Sequence, residues 1–150
     1  MKGASSAATL FIASALLSAC GSSEEAQKMA IDAAVTKGAN KELLEQGQFV
    51  YNRVCASCHG GNGEGRGSGI PPLHPSDYFS ANLDRSIGHV INGAVGPMTV
   101  NGTNYDAMMP GMAHLSDANI AAVVSFISQA WNDSNAVSAE QVTQVRNNKS

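Results

Sequence analysis

Apolar residues recur at helical spacing in three stretches of this 150-residue chain. The stretches cover residues 41–54, 83–92 and 115–131. Spacings of three and four residues place side chains on one face of an α-helix, so each stretch predicts a helix with a buried face. The members of the three faces are Leu43, Leu44, Val50 and Val54; Ile87, Val90 and Ile91; and Ile120, Val123, Val124, Phe126 and Ile127.

Capping residues mark where these helices begin and end. Ser116 is predicted to cap the third helix, with Asp117 in its positively polarised first turn. Gly93 predicts the end of the second helix. Residues 138–141 form a capping box, which predicts a short helix in the C-terminal tail. Gly47 lies inside the first helix, where glycine costs about 1 kcal/mol relative to alanine, so we expect it to have a packing role.

The N-terminus has the pattern of an export signal. Lys2 precedes an apolar run from Ala7 to Leu17 that is too short to span a membrane, and we predict a signal peptide over residues 1–19. The run ends in Leu17-Ser18-Ala19-Cys20, which resembles the bacterial lipoprotein box. The resemblance implies that Cys20 carries a diacylglycerol and anchors an exported, periplasmic protein to a membrane. Ordinary cleavage that leaves a free thiol is the alternative.

Residues 20–40 are polar and rich in alanine. The part from Glu24 to Lys37 can form a helix with Met29, Ile31 and Val35 as its apolar members. We favour the other interpretation, a mobile tether that holds the following domain away from the membrane. The predicted organisation is then a tether over 20–40, a domain over 41–131 and a tail over 132–150.

The chemistry of the chain is concentrated in residues 55–59, Cys-Ala-Ser-Cys-His. A Cys-x-x-Cys-His run is the attachment site of a c-type haem. The thiols of Cys55 and Cys58 add to the two vinyl groups, and His59 becomes the first axial ligand of the iron. A redox-active cysteine pair is expected beside a βαβ pattern, and a zinc site needs a second pair of ligands. Neither feature is found, so we predict one covalently bound haem c.

Residues 41–131 resemble class I cytochromes c at both ends of the region. The spacing Gly47-x-x-x-Tyr51-x-x-x-Cys55 carries the resemblance at one end, and Met109-Pro110 shortly before the last long helix carries it at the other. The resemblance implies an all-α class I cytochrome c fold, with three to five helices around one haem. It also implies that the first and last helices of the domain cross at Gly47, where Val123 and Phe126 meet Gly47 and Tyr51.

The same resemblance implies the remaining ligands. The sulfur of Met109, fifty residues after His59, closes the sixth position of the iron. In the segment Ile70-Pro71-Pro72-Leu73, the carbonyl of Pro71 accepts the Nδ1 proton of His59, with Pro72 as the alternate. Such a bond orients the ring and raises its basicity.

Other residues compete for these roles. His74, His89 and His114 are alternative sixth ligands, although none lies in a ligand-like context. Met112, three residues after Met109, is the closest rival for the sixth position, although Met108 and Met112 are predicted to fill gaps in the core. Six glycines between residues 60 and 69 predict a flexible loop around the haem edge, because no strand and no Gly-Lys-Ser/Thr accompany them as in a phosphate-binding loop.

Iron held by both His and Met has no vacant position, which suits one-electron transfer. We therefore predict an electron carrier rather than an enzyme, with a respiratory oxidase, reductase or dehydrogenase as its redox partner. A gas-binding or catalytic haem protein, and a haem subunit of a dehydrogenase or reductase complex, are the alternatives. Residues 42–131 contain seven acids against three arginines, a net charge of −4. This charge excludes nucleic acid as a partner and predicts docking on a basic surface.

Overall fold

The computed structural model describes residues 22–106 and 108–148, so the predicted signal peptide and Cys20 lie outside the described residues. Two antiparallel strands, β1 (Pro97–Val100) and β2 (Thr103–Asp106), pair with Val100 opposite Thr103. The α-helices are α1 (Ser23–Thr36), α2 (Lys41–Val50), α3 (Ala56–His59), α4 (Asp77–Ala81), α5 (Leu83–Asn92), α6 (Asp117–Ser125) and α7 (Ala139–Asn147). Within this part of the chain, no helix is long and apolar enough to cross a membrane.

The three predicted helices of the domain are confirmed. The middle one, α5, has the expected bounds and ends at Gly93 with φ of 83°. The other two each contain a π-helical segment. The first π segment, Tyr51–Cys55, joins α2 to α3, and the second, Phe126–Trp131, continues α6. The hydroxyl of Ser116 accepts a hydrogen bond from the backbone N–H of Asn119 at 3.2 Å, so the predicted cap of α6 is present.

The centre of the fold is the close crossing of α2 and α6 at Gly47. A Cβ atom on Gly47 would lie 2.1 Å from the carbonyl oxygen of Ala122 and 2.6 Å from Cβ of Phe126. The predicted packing role of Gly47 is therefore confirmed, and Phe126 is the expected neighbour. Ala122, which the sequence analysis did not name, takes the other position, whereas Val123 faces the cavity described below.

After its first turn, helix α6 is buried on every side, because α2, α5 and α7 pack around it and its remaining face lines the cavity described below. Residues 120–128 are all buried. A helix that is enclosed in this way has no polar stripe. Two serines lie in the buried run, and both bond the connection to α7: Ser125 Oγ accepts from the Val137 N–H at 2.8 Å and Ser128 Oγ donates to the Asn135 carbonyl at 2.7 Å.

The prediction of a mobile tether is wrong for residues 23–36, because they form a helix that packs on the domain. Ile31 and Ala34 of α1 are buried in the core. Gln27 is fully buried, and its Oε1 accepts hydrogen bonds from Gln48 at 3.0 Å and from Asn52 at 3.1 Å. Its Nε2 donates to the carbonyl of Gly61. The polar composition of this segment suggested that it does not pack on the domain. Gln27 is nevertheless buried, because partners that are distant in sequence satisfy its hydrogen bonds.

The tail forms the short helix that its capping residues predicted. Ser138 Oγ accepts from the N–H of Gln141 at 3.2 Å, but the Gln141 side chain donates to Asp84 at 2.6 Å instead of returning to the cap. Arg146 donates to Asp117 at 2.8 Å, and hydrogen bonds from Thr143 and Arg146 lower the pKa of Asp117. Helix α7 is thereby fastened to the starts of both α5 and α6.

The α2–α6 crossing makes a direct prediction. Gly47→Ala should lower the free energy of unfolding by about 1–3 kcal/mol, because the methyl group collides with backbone that cannot move without separating the helices. Gly88→Ala is the matched control. Gly88 also lies in a helix, but its added Cβ would meet only Val145 Cγ1 at 4.0 Å.

Gly88→Ala should stabilise the protein by about 0.5–1 kcal/mol, the usual advantage of alanine over glycine in a helix. Urea unfolding of the two variants measures both effects. Equal stability of the two variants would show that the crossing is not tightly packed.

Candidate functional site

A mainly apolar cavity lies between α3, α5, α6 and the β-hairpin. With its open mouth included, it encloses about 1040 Å³ of free space. The structure brings every predicted site residue that it describes to the wall of this one cavity. These residues are Cys55, Cys58, His59, Pro71 and Met109.

The two cysteines lie on the helical turn that leads into the cavity. Cys55 is half-buried, Cys58 is exposed, and both are free thiols. Burial, with a smaller effect of the neighbouring Cys58, raises the pKa of Cys55 to about 12. Redox-active cysteines have lowered pKa values, because the thiolate is the reactive form. The environment of this pair is therefore unlike that of a redox-active dithiol.

His59 is the last residue of α3, and its ring is oriented by one hydrogen bond. The side chain is buried, and Nδ1 lies 3.1 Å from the carbonyl oxygen of Pro71. Since a carbonyl only accepts, Nδ1 carries the proton and Nε2 keeps its lone pair. Burial lowers the pKa of His59, and the bond to Pro71 opposes that effect. The ring is thus a neutral imidazole with one nitrogen available to a metal, and the acceptor is Pro71 rather than Pro72.

The glycine-rich loop returns Pro71 to His59 by backbone hydrogen bonds. The N–H of Gly65 donates to the His59 carbonyl at 2.8 Å, and the N–H of Leu73 donates to the Gly63 carbonyl at 2.7 Å. Gly63 has φ of 76°, and a Cβ atom there would lie 2.9 Å from the ring of Trp131. Glycine at this position therefore permits a tight, hydrogen-bonded turn against the Trp131 ring. The glycine content alone had suggested only a flexible loop.

Three aromatic rings from the two π segments support α3 from behind. Tyr51 packs edge-on against Trp131 with ring centroids 4.9 Å apart, and Phe126 lies 4.6 Å from Trp131. The hydroxyl of Tyr51 donates to the Gly60 carbonyl at 2.6 Å, and burial raises the pKa of this phenol. π-Helical segments often occur at functional sites, and the first of the two segments here ends at Cys55, the first residue of the cysteine motif.

Met109 is held on the cavity wall by the segment that follows the C-terminus of α5. Its N–H and C=O pair with those of Ala94 at 2.8 and 3.1 Å. A Cβ on Gly93 would lie 2.4 Å from the Met109 carbonyl, and one on Gly111 would lie 2.7 Å from the Ile91 carbonyl. Two glycines therefore allow this segment to lie directly on the helix end. From the sequence, Gly93 was predicted only to end the helix, and Gly111 was given no role.

The neighbouring methionines differ from Met109. Met108 is 78% exposed, so the prediction that it fills a gap in the core is wrong. The pairing of Met109 with Ala94 turns Met109 to the cavity and leaves Met108 at the mouth. Met112 is half-buried, and its N–H donates to the Val90 carbonyl at 2.8 Å.

The three other histidines are engaged elsewhere or exposed. His74 Nδ1 lies 2.8 Å from the Trp131 carbonyl, and His114 is exposed. His89 does line the cavity, but its Nε2 lies 3.1 Å from the hydroxyl of Tyr78. Within residues 22–106 and 108–148, no group of three or more His, Cys, Asp or Glu side chains forms a separate metal site.

The β-hairpin and its part in the cavity were not predicted from the sequence. Met98, Val100 and Tyr105 line one wall, and Val100 and Tyr105 are buried. Strands of four residues carry little periodic signal, although Val-x-x-x-x-Tyr around Asn101-Gly102 is a hairpin cue that could have been used. Two thiols, a free imidazole nitrogen and a thioether facing an apolar space fit a covalently attached, iron-bearing macrocycle.

Comparison with known proteins agrees with this fit. The family profile described as "Cytochrome c" matches residues 44–131. Cytochrome c-552 of Thermus thermophilus is 34% identical over 113 residues, which are 69% of this chain and 86% of that protein. The alcohol dehydrogenase (quinone), cytochrome c subunit, of Gluconobacter oxydans is 34% identical over 67% of this chain and 22% of its own length.

A third similar protein is the lupanine 17-hydroxylase (cytochrome c) of a Pseudomonas species. It is 38% identical over 91 residues, which are 59% of this chain but only 12% of the hydroxylase. The chain therefore spans most of one relative and a small part of the other two.

The cavity predicts the behaviour of a variant without the attachment thiols. Cys55→Ala combined with Cys58→Ala should yield a chain that carries no covalent haem and does not fold, because the cavity at the core stays unfilled. Haem staining of a denaturing gel and circular dichroism measure the two effects. Ser57→Ala, between the cysteines and exposed, is the control and should be haem-loaded and folded. A folded double variant with covalent haem would contradict the assignment of the cysteines.

Proposed function

Because the chain belongs to the cytochrome c family, we propose that it is a one-electron carrier whose haem c alternates between Fe(III) and Fe(II). The class I cytochrome c fold and the covalently bound haem c expected from the sequence follow from this membership. The observation that carries the proposal is the single cavity lined by Cys55, Cys58, His59 and Met109. The haem supplies the redox chemistry, and the chain holds and tunes it.

In this proposal, Cys55 and Cys58 attach the haem, and His59 Nε2 and the sulfur of Met109 bind the iron. The free Nε2 of His59 and the location of Met109 on the same cavity support this ligand set. With both residues bound to the iron, the haem would have no position left for oxygen or substrate, and a thioether ligand would raise the reduction potential. The hydrogen bond to Pro71 orients the imidazole and makes it a stronger donor to the iron.

Bacterial c-type cytochromes are exported to the periplasm, and we extend this to a lipid anchor on Cys20. Only Gly21 and Ser22 separate Cys20 from the start of α1 at Ser23. Because α1 packs on the domain, an acylated Cys20 would hold the haem domain directly at the membrane surface rather than on a long tether. Each buried methylene contributes about 0.8 kcal/mol to such anchoring.

A second candidate is a haem subunit that stays docked on an oxidoreductase. It is favoured by the similarity to a cytochrome c subunit of a quinone alcohol dehydrogenase and to a lupanine 17-hydroxylase. In either case, the partner is a redox protein such as a respiratory oxidase, reductase or dehydrogenase, and the acidic domain favours a basic docking surface. Gel filtration of gently solubilised membranes separates the two candidates, since only a stable subunit co-elutes with its complex.

The ligand set predicts a difference between adjacent methionines. Met109→Ala should abolish the weak red charge-transfer band of thioether-ligated ferric haem, lower the reduction potential and open the iron to carbon monoxide. Met108→Ala, an exposed neighbour, should leave all three properties unchanged. Optical spectra, redox titration and carbon monoxide binding measure them.

Met112→Ala is a second control, which tests packing near the site. It should keep the band and destabilise the fold by at most about 2–5 kcal/mol. Ready binding of carbon monoxide by the unaltered protein, without the charge-transfer band, would favour a gas-binding protein instead.

The anchor predicts a change of cellular fraction. Cys20→Ser should move the protein from the membrane to the soluble periplasmic fraction, because the acyl chains are its only expected attachment. Ser18→Ala leaves the cysteine in place and should keep the protein on the membrane. Fractionation and mass spectrometry of the mature N-terminus provide the measurements. A wild-type N-terminus without acyl groups would disprove lipidation.

A further inference from the structure

Arg85 is a half-buried arginine beside the cavity, and it has no carboxylate as an ion-pair partner. The Nε of Arg85 is buried and has no hydrogen-bond partner, and no carboxylate of the described residues lies within ion-pair distance of its guanidinium. The two acids nearest in sequence are engaged elsewhere: Asp84 accepts from Gln141 at 2.6 Å, and Asp77 accepts from the Asn101 N–H at 2.7 Å. Leaving a buried N–H donor of a charged group unpaired is costly, so an acceptor with negative charge is expected near it.

The position of Arg85 in its helix also indicates that an anion binds nearby. It lies in the first turn of α5, three residues after the capping Asn82. The partial positive charge of a helix N-terminus disfavours a cation there by a few tenths to about 1 kcal/mol. Local helix energetics therefore do not explain the arginine, whereas an anion bound nearby would.

Arg85 contacts a side chain that lines the cavity. Its guanidinium stacks on the ring of Tyr78 at 3.6 Å from the centroid and donates to the Tyr78 carbonyl. Tyr78 lines the cavity, as does His89, which is one turn after Arg85 on α5. The Tyr78 hydroxyl lies 3.1 Å from His89 Nε2, and the two rings are nearly parallel, at 13°. The positive charge is thus one aromatic ring away from the cavity.

Few other polar side chains of the cavity wall are available to an anion. Ser86 Oγ donates its proton to the Phe79 carbonyl at 3.0 Å, whereas Ser76 Oγ accepts from the Phe79 N–H at 3.1 Å and keeps its own proton. When His89 donates from Nε2 to the Tyr78 oxygen, the phenol proton of Tyr78 is free to donate to a carboxylate. Burial lowers the pKa of His89, a backbone hydrogen bond with Gly93 opposes this effect, and Arg85 adds to the lowering. An anion bound nearby would favour the protonated ring, whose Nε2–H donates to Tyr78.

The haem has two propionate carboxylates, on the edge of the porphyrin away from its thioether bonds. We propose that one propionate is bound at Tyr78 and His89, with Arg85 as its compensating positive charge. Tyr78 and His89 come from α4 and α5 and not from the helix that carries the cysteines, so they lie on a different part of the wall. The inference depends on bound haem c and not on the identity of the sixth ligand.

The reduction potential tests this proposal. Arg85→Gln removes a positive charge close to the haem and therefore stabilises Fe(III), so the potential should fall by the equivalent of a several-fold change in the ratio of oxidised to reduced protein. A tenfold change corresponds to about 59 mV for one electron. Arg85→Lys keeps the charge and should restore most of the loss.

Arg53→Gln is the matched control for net charge. Arg53 also stacks on an aromatic ring, Phe49, at 4.6 Å, but both side chains are exposed and neither lines the cavity. Its potential should stay close to that of the unaltered protein. Equal shifts in Arg85→Gln and Arg53→Gln would overturn the proposal, because they would reflect net charge alone. An unchanged charge-transfer band in Arg85→Gln separates this effect from a change of iron ligand.

Tyr78→Phe tests the proposal independently if Arg85→Gln does not fold. This substitution keeps the ring that stacks on the guanidinium and removes only the hydroxyl. It should lower the potential and shift a carboxylate band in the infrared difference spectrum between oxidised and reduced protein. A wild-type potential together with an unshifted carboxylate band would overturn the proposal.

Discussion

The contact between α2 and α6 at Gly47 sets the position of the haem site, since both helices continue through π segments to the cavity. Because a Cβ on Gly47 would lie 2.1 Å from the Ala122 carbonyl, the two backbones touch and cannot slide independently. One of them carries the attachment cysteines and His59, and the other supplies Val123 and Ile127 to the cavity wall. A change at the crossing would therefore alter the distance between His59 and the opposing cavity wall formed by Val123 and Ile127.

The proposed iron ligands are held by short backbone hydrogen bonds rather than by other side chains. On the His59 side, the Gly63 carbonyl bonds the chain just after Pro71, and on the Met109 side, Ala94 pairs with Met109 directly. Both anchors depend on glycines that allow close backbone contact. A site held in this way needs little rearrangement between two oxidation states, which suits rapid electron transfer.

Segments outside the cytochrome c match contribute to the same core. Helix α1 places the buried Gln27 against Asn52 and Gly61, on either side of the attachment motif, and α7 bonds Asp117 at the start of α6. If Cys20 is acylated, the packing of α1 on the haem domain fixes how far the domain lies from the membrane surface. The proposed propionate site is likewise made by contacts between helices, since Tyr78 comes from α4 and Arg85 and His89 from α5.

The sequence by itself determined the local features: the bounds of α5, the cap of α6, the tail helix and the haem motif at residues 55–59. Each depends on neighbours a few residues apart, where spacing and capping act directly. It failed for α1, whose polar surface is satisfied by distant partners, and for the β-hairpin and Met108, where packing overrides a weak local pattern. Only the tertiary structure placed Met109 on the cavity with His59 and brought Arg85 to Tyr78 and His89, because contacts between distant segments depend on how the helices cross.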